Sequence, residues 1–214
     1  MTIELLMFDM DGTLIDSMAD IAAQVNRSLV AAGLEPHPQD RIRGLIGQGP
    51  RYVFDQLLEG KAPAARLDGL VVSFETLYAK HLVDTTAVYP GMMGVLEHYK
   101  GIKKVIVTNK PQPFADALVA KLGLAAHFAA VYGAEAFKAR KPDPMPLLES
   151  CKRFSVKPSR AAYVGDSTAD MQASKAAATV SVAALYGYGK PAAVRKLKPD
   201  FEVTAPAQLV GLFN

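Results

Sequence analysis

The chain has 214 residues, half of them hydrophobic, which is enough apolar material for a sizeable core, and no run is apolar for long enough to span a membrane. A net charge of +3, scattered without a basic stripe or interleaved aromatics, excludes nucleic acid as a partner. One cysteine excludes an internal disulfide framework, and acids at positions 4 and 9 argue against a secretory signal, so a cytoplasmic location is expected.

The first element is a short apolar run, Leu5 to Phe8, that stops at Asp9. Asp11 follows at i+2, and Gly12-Thr13 comes directly after it. Such a run bounded by a turn signal reads as a buried strand. Carboxylates at the C-terminal end of a buried parallel strand lie where open α/β sheets place their ligands. Ser17 is expected to cap a helix that carries Met18, Ile21, Val25 and Leu29 at helical spacing. After Pro36 and Pro38, helices are predicted over 40–46 and 51–58, then a longer one with Leu67, Leu70, Val71, Phe74, Leu77 and Tyr78 on one stripe. Nothing between about 16 and 86 has a strand pattern. Residues 16–86 are therefore expected to be an α-helical insertion into a core built from 1–15 and 87–214.

From Tyr89-Pro90-Gly91 onward the pattern alternates. Helices are predicted over 92–99, 113–122, 146–154, 169–178, 191–197 and 206–212, with strands over 104–107, 129–132, 161–164, 180–184 and 201–203. Strands alternating with helices of about ten residues imply an α/β fold with a mostly parallel sheet flanked by helices. Cys151 lies in the amphipathic stretch 149–154 and is read as a half-buried structural thiol. The four histidines never fall at metal-ligand spacing. No phosphate-binding P-loop sequence is present. The glycines at 44, 47 and 49, and those at 187 and 189, are weak signals on their own.

Polar residues collect at the strand ends. Asp9 and Asp11 end the first strand, Thr108 and Asn109 the next, and Asp166 a third, with Asp170 four residues later. Right-handed connections place all of these ends on one edge of the sheet. Taken singly, each is explained equally well as a helix cap, and for Asp170 or Thr108 alone that reading is preferred. Four carboxylates on one edge repel one another, at roughly 4 kcal/mol for a pair about 4 Å apart in an effective dielectric near 20. Either they are spread apart or a cation holds them, and all-carboxylate ligation points to Mg²⁺. Lys141, in the stiff stretch Arg140-Lys141-Pro142-Asp143-Pro144, is either a solvated loop lysine or the counter-charge to Asp9 and a bound phosphate.

Together these residues resemble the haloacid dehalogenase superfamily in its phosphatase branch. The four motifs occur in order: DxDGT at 9–13, Thr108 within VTNKP, Lys141 within KPDP, and GDSxxD at 165–170. With YPG at 89 and YGYG at 186, the chain is most similar to phosphoglycolate phosphatases. The resemblance implies a Rossmann-like core with an inserted helical cap, and a small phosphorylated metabolite as substrate. It implies that Asp9 attacks phosphorus to form an aspartyl phosphate, and that Asp11 serves as general acid and then base. Thr108, the backbone of Asn109 and Lys141 would hold the phosphoryl group, with Gly12 on the substrate side. Mg²⁺ would be held by Asp9, the Asp11 carbonyl and Asp166, with Asp170 in or near the metal's surroundings. The stretch 43–49 is similar to a substrate-facing cap loop, in which Arg43 meets a substrate carboxylate with Gln48 beside it. A solvated arginine and a plain turn explain that stretch equally well. Two positions depart from the family pattern: Ala178 stands where glycine is usual, and Gly101-Ile102 shortens the link before the second strand.

The function expected is Mg²⁺-dependent hydrolysis of a small phosphate monoester, with 2-phosphoglycolate as the leading substrate. Inorganic pyrophosphatase and β-phosphoglucomutase share the core and cap position and are the alternatives within the superfamily. Outside it, a phospho-acceptor signalling module needs neither an acid–base aspartate at +2 nor a helical insertion of this length. A catalytically silent binding relative is disfavoured because every chemical position is filled.

Overall fold

The computed structural model describes residues 2–213. Among them, the chain divides into two compact units, one built from 2–16 and 88–213 and the other from 17–87.

The first unit is organised on a six-stranded sheet. Its strands are β1 (Leu5–Phe8), β4 (Lys103–Val107), β5 (Ala130–Tyr132), β6 (Ala161–Gly165), β7 (Val180–Ala184) and β8 (Phe201–Val203), in the spatial order β5-β4-β1-β6-β7-β8. Every neighbouring pair is parallel. The chain builds outward on one side of β1 and then crosses to build on the other. The carboxyl ends of β1, β4 and β6 are thereby brought together at the point where the strand order reverses, the place where such sheets hold ligands. The sequence of β1 explains its central position. Leu5, Leu6, Met7 and Phe8 are all buried, because helices cover both faces of a parallel sheet and no polar alternation is tolerated there.

One face of the sheet packs Leu5, Met7, Val105, Val107 and Tyr163 against Leu147 and Cys151 of α7 (Met145–Arg153) and Ala173 and Ala177 at α8 (Thr168–Ala176). The small residues of α8 let it lie close to the sheet. Cys151 is therefore fully buried rather than half-buried, at 1% exposure, and burial pushes its thiol up to about 11. Such a thiol is inert. The remaining helices of this unit are α5 (Met92–His98), α6 (Gln112–Lys121) and α9 (Pro191–Lys196). The helix expected over 206–212 is a single 3-10 turn, Pro206–Leu209, because Val210 turns to extended backbone with ψ 125°. Ala178 has φ 55° where α8 closes, and the Thr179 amide reaches back to Ser174 O. That is the left-handed helix end that glycine normally supplies.

The second unit contains four helices, α1 (Met18–Ala31), α2 (Gln39–Arg43), α3 (Pro50–Leu57) and α4 (Ala64–Lys80). The two-residue strands β2 (Ile15–Asp16) and β3 (Ala87–Val88) mark the crossings of the chain. Helix α2 stops at Arg43, three residues short of the expected end, and gives way to tighter turns in which the amides of Leu45 and Ile46 donate to Ile42 O and Arg43 O. Phe54 meets Phe74 edge-on, and Phe74 stacks on Tyr78, forming the aromatic centre of the unit. Ser17 occupies the position before α1 but makes no side-chain cap bond. Instead, buried Asp20 accepts hydrogen bonds from the amides and hydroxyls of Thr85 and Thr86 at 2.6–3.1 Å. Burial alone would raise the carboxyl of Asp20, but these bonds hold it below the ordinary value. They tie the start of the helical block to its end.

Candidate active site

Asp9 follows β1 directly, and its amide donates to Val164 O of β6 at 2.9 Å, so the strand's hydrogen-bond ladder fixes where its side chain begins. The chain then turns tightly. Met10 O accepts from the amides of Thr13, Leu14 and Ile15, and Gly12 adopts φ 80°. A side chain at position 12 would also run into the carboxylate of Asp166, so the site needs glycine there for close approach as well as for backbone conformation.

Lys141 is the centre of the charge arrangement. Its ammonium donates to Asp170 Oδ1 at 2.7 Å and to the Tyr163 hydroxyl at 2.6 Å, and it stands 2.9 Å from Asp9 Oδ1. Burial pulls the ammonium down, but Asp170 and Asp9 together hold it above the ordinary lysine value. The main chain of Lys141 is clamped by Asn109, whose Nδ2 donates to Lys141 O at 2.9 Å and whose Oδ1 accepts from Lys141 N at 3.1 Å. The side chain of Asn109 is thus committed to placing Lys141. Thr108, buried beside it, accepts the Lys110 amide on Oγ1 at 3.2 Å, and its own amide donates to Tyr132 O.

Asp166 and Asp170 are held in different ways. Asp166 Oδ2 accepts the amides of Tyr188 at 2.6 Å and Gly189 at 3.1 Å, while Thr13 Oγ1 lies 3.5 Å from Oδ1. Asp170 closes a capping box at the start of α8, its Oδ2 accepting both the amide and the hydroxyl of Ser167. With Lys141 and Tyr163 on Oδ1, both of its oxygens have partners. Burial raises the carboxyl of Asp170, but the Lys141 ammonium outweighs that and holds it below the ordinary range.

Asp9 and Asp166 have the opposite electrostatics. Burial first, and then the nearby charge of Asp170, pushes Asp9 up to about 6 against the pull of Lys141. Burial, Asp170 and Asp9 push Asp166 up to about 8. Asp9 Oδ1 is buried and faces the Lys141 ammonium at 2.9 Å. Carboxylate oxygens of Asp9, Asp166 and Asp170 all lie within 4.8 Å of one another. With all four carboxyls ionised, Asp9, Asp11, Asp166 and Asp170 would face two ammonium groups (Lys110, Lys141), an excess of two negative charges that the raised Asp9 and Asp166 carboxyls resist. A divalent cation with oxygen ligands fits this set on three counts: the charge, the clustered oxygens of Asp9, Asp166 and Asp170, and the donor type. Asp170, with both oxygens occupied, fits a place behind the ligands better than a place among them.

The structure therefore gathers Asp9, Asp11, Gly12, Thr108, Asn109, Lys141, Asp166 and Asp170 around one sheet edge. Arg43, the last residue of α2, and Gln48 in the following turn are exposed and belong to the helical unit. Sequence reasoning missed Lys110, whose ammonium lies 3.0 Å from each oxygen of Asp11. It also missed Tyr163 and the two amides that hold Asp166. Lys110 was visible only as a letter of VTNKP, and the 186–189 loop only as a pair of glycines. The backbone amides of that loop do the binding, and no residue type encodes a backbone amide.

Fold and site together define an α/β enzyme with an acidic, oxygen-donor centre at the switch point of a parallel sheet. The chain belongs to the haloacid dehalogenase-like hydrolases, whose family model matches residues 6–184. The phosphoglycolate phosphatase of Psychrobacter arcticus is 35% identical over 205 residues, covering 92% of this chain and 89% of its own. That of Aquifex aeolicus is 34% identical over 211 residues, covering 98% and 96%. A crystal structure described as a predicted phosphoglycolate phosphatase from Haemophilus somnus aligns with a TM-score of 0.90 at 26% identity, over 97% of this chain and 96% of that one. No described helix is long and apolar enough to cross a membrane.

Proposed function

We propose that the chain hydrolyses 2-phosphoglycolate to glycolate and phosphate, with Asp9 as nucleophile. The observation that carries this reading is the difference between the two carboxylates of the first motif. Asp9 presents its buried Oδ1 to the Lys141 ammonium at 2.9 Å, whereas Lys110 spans both oxygens of Asp11 at 3.0 Å. The Lys141 ammonium favours the ionised form of Asp9, the form that attacks phosphorus. In the first step the Asp9 oxygen forms a bond to phosphorus as the ester oxygen leaves, and Asp11 delivers a proton to that oxygen. In the second step Asp11 takes a proton from water, whose oxygen displaces Asp9 from phosphorus. Splitting one displacement into two lowers each barrier, and a positioned acid–base group contributes about 10²–10⁴-fold.

Lys141 and the Thr108 hydroxyl stand at the sheet edge where the phosphoryl oxygens would lie, with Asn109 setting the position of Lys141. Asp9, the Asp11 carbonyl and Asp166 are the groups that would hold Mg²⁺, with Asp170 beside them. When bound, Mg²⁺ would neutralise the charge of the transferring phosphoryl group. Residues 17–87 would serve as a cap. The substrate assignment rests on the relatives, both phosphoglycolate phosphatases at about one-third identity over nearly their full length. Phosphate release measured with Mg²⁺ over 2-phosphoglycolate, sugar phosphates, nucleotides and pyrophosphate tests it. Phosphoglycolate should be turned over with the highest kcat/KM, and faster turnover of pyrophosphate would overturn the assignment.

A further inference from the structure

Lys110 is a second buried lysine in the site, and the reading of the four motifs gives it no role. It leaves the end of β4 two residues after Thr108 and crosses to the loop after β1. There its Nζ lies 3.0 Å from both Asp11 oxygens, with the lysine side chain 5% exposed and that of Asp11 12% exposed. Its main chain is fixed on both sides, since its amide donates to Thr108 Oγ1 and its carbonyl accepts from Ala134 N. A side chain anchored in this way carries little freedom. A carboxylate bonded through both oxygens to one ammonium is likewise confined to one orientation. Lysine is otherwise rarely buried without such a partner, because an unpaired ammonium is costly away from water.

We propose that Lys110 is a positioning residue that aims the Asp11 carboxylate for its two proton transfers. This rests on the phosphatase reading above. Lys110 forms no bond to the reacting phosphorus; it acts through Asp11, and its removal is felt only where Asp11 is used. The two steps differ in that respect when the leaving group is changed. Departure of p-nitrophenolate needs no proton, so phosphoryl transfer to Asp9 from p-nitrophenyl phosphate proceeds without help from Asp11. Breakdown of the aspartyl phosphate still requires a proton to be taken from water, and an alkyl ester requires help in both steps.

Lys110→Met, which keeps the length and removes the charge, should therefore show a fast burst of p-nitrophenolate followed by slow steady turnover. On an alkyl monoester both phases should slow, with kcat down about 10–100-fold, less than the roughly 10²–10⁴-fold of full acid–base help because Asp11 itself remains. Lys110→Arg should restore part of the loss. The deciding experiment is the double-mutant cycle with Asp11→Asn, in rapid-mixing assays on both substrates. If Lys110 works through Asp11, adding Lys110→Met to Asp11→Asn should change turnover less than about twofold, because the two losses share one cause. Losses that multiply in the cycle, an equally slowed burst, or an unchanged rate in Lys110→Met would each overturn the proposal. Should the methionine variant fail to fold, Lys110→Gln carries the same cycle. Phosphate release by the wild-type chain, and its loss in Asp9→Asn, are read in the same assay. If the wild-type chain releases none, the phosphatase reading fails, not the role of Lys110.

Discussion

Asp170 and Lys141 form an ion pair of 2.7 Å whose side chains are 0% and 2% exposed. The pair joins the start of α8 to the loop before α7, and Lys141 in turn reaches Asp9. Breaking a buried pair from one side leaves a charge without compensation, a loss of about 3–5 kcal/mol. Asp170→Ala should lower stability by about that amount in urea unfolding, with part of the loss coming from the Ser167 capping box. Asp170→Asn keeps the cap geometry and should lose less. Equal stability of wild type and Asp170→Ala would show that the pair contributes nothing.

The raised carboxyls of Asp9 and Asp166 make the metal-free protein sensitive to pH. In the unfolded chain both titrate near 3.8, and in the folded chain near about 6 and about 8. Between those values the folded state binds more protons than the unfolded one, so stability falls as pH rises. The contribution is complete below about pH 4 and is lost as pH passes through about 6 and then about 8. Denaturant melts in a chelator should show this decline, and Mg²⁺ should reverse it, since a cation favours the ionised carboxylates. Melts in chelator that gain stability from pH 5 to pH 8 would contradict the electrostatic account of the site.

Gly189 and Gly187 make room for Asp166. A methyl group at 189 would overlap the Asp166 carbonyl oxygen, and one at 187 would strike the Gly12 carbonyl and the Asp166 side chain. Gly189→Ala should cost about 1–3 kcal/mol through overpacking. It should also weaken Mg²⁺ binding in titration calorimetry, because the loop that supplies two amides to Asp166 must move.

Ala178 is strained in the other direction. It is exposed, with φ 55°, where a residue bearing Cβ is disfavoured by about 1–2 kcal/mol. Ala178→Gly should raise stability by about 0.5–1 kcal/mol, less than the full strain because glycine gains freedom in the unfolded chain. A melt at or below the wild-type temperature would refute this.

Most of the core was legible because its signals are local. The run Leu5–Phe8 and the β-branched stretch at 105–107 could be read as buried strands, and their bounds hold within a residue. Helix ends were harder to read. Helix α2 gives way to tighter turns after Arg43, and the chain turns extended at Val210, although the apolar spacing continues through both. In the site, Asp9 and Asp166 were legible because charged residues that follow buried strands cannot belong to an apolar core, and Lys141, which follows no strand, was legible through its stiff KPDP stretch and as their counter-charge. Lys110 and the amides at 188–189 were not, because their importance depends on partners far away in sequence: Asp11 is 99 residues from Lys110, and Asp166 is 22 from Tyr188. Only the crossing of β4 and β6 to either side of β1 brings them together.

The central claim is that Asp9 carries the phosphoryl group. Rapid acid quench of the enzyme during turnover of 2-phosphoglycolate with Mg²⁺, followed by mass spectrometry of the peptide containing residues 5–14, tests it directly. A phosphoryl group on Asp9, absent from the inactive Asp9→Asn variant, is the predicted result. Undiminished turnover by Asp9→Asn would contradict it.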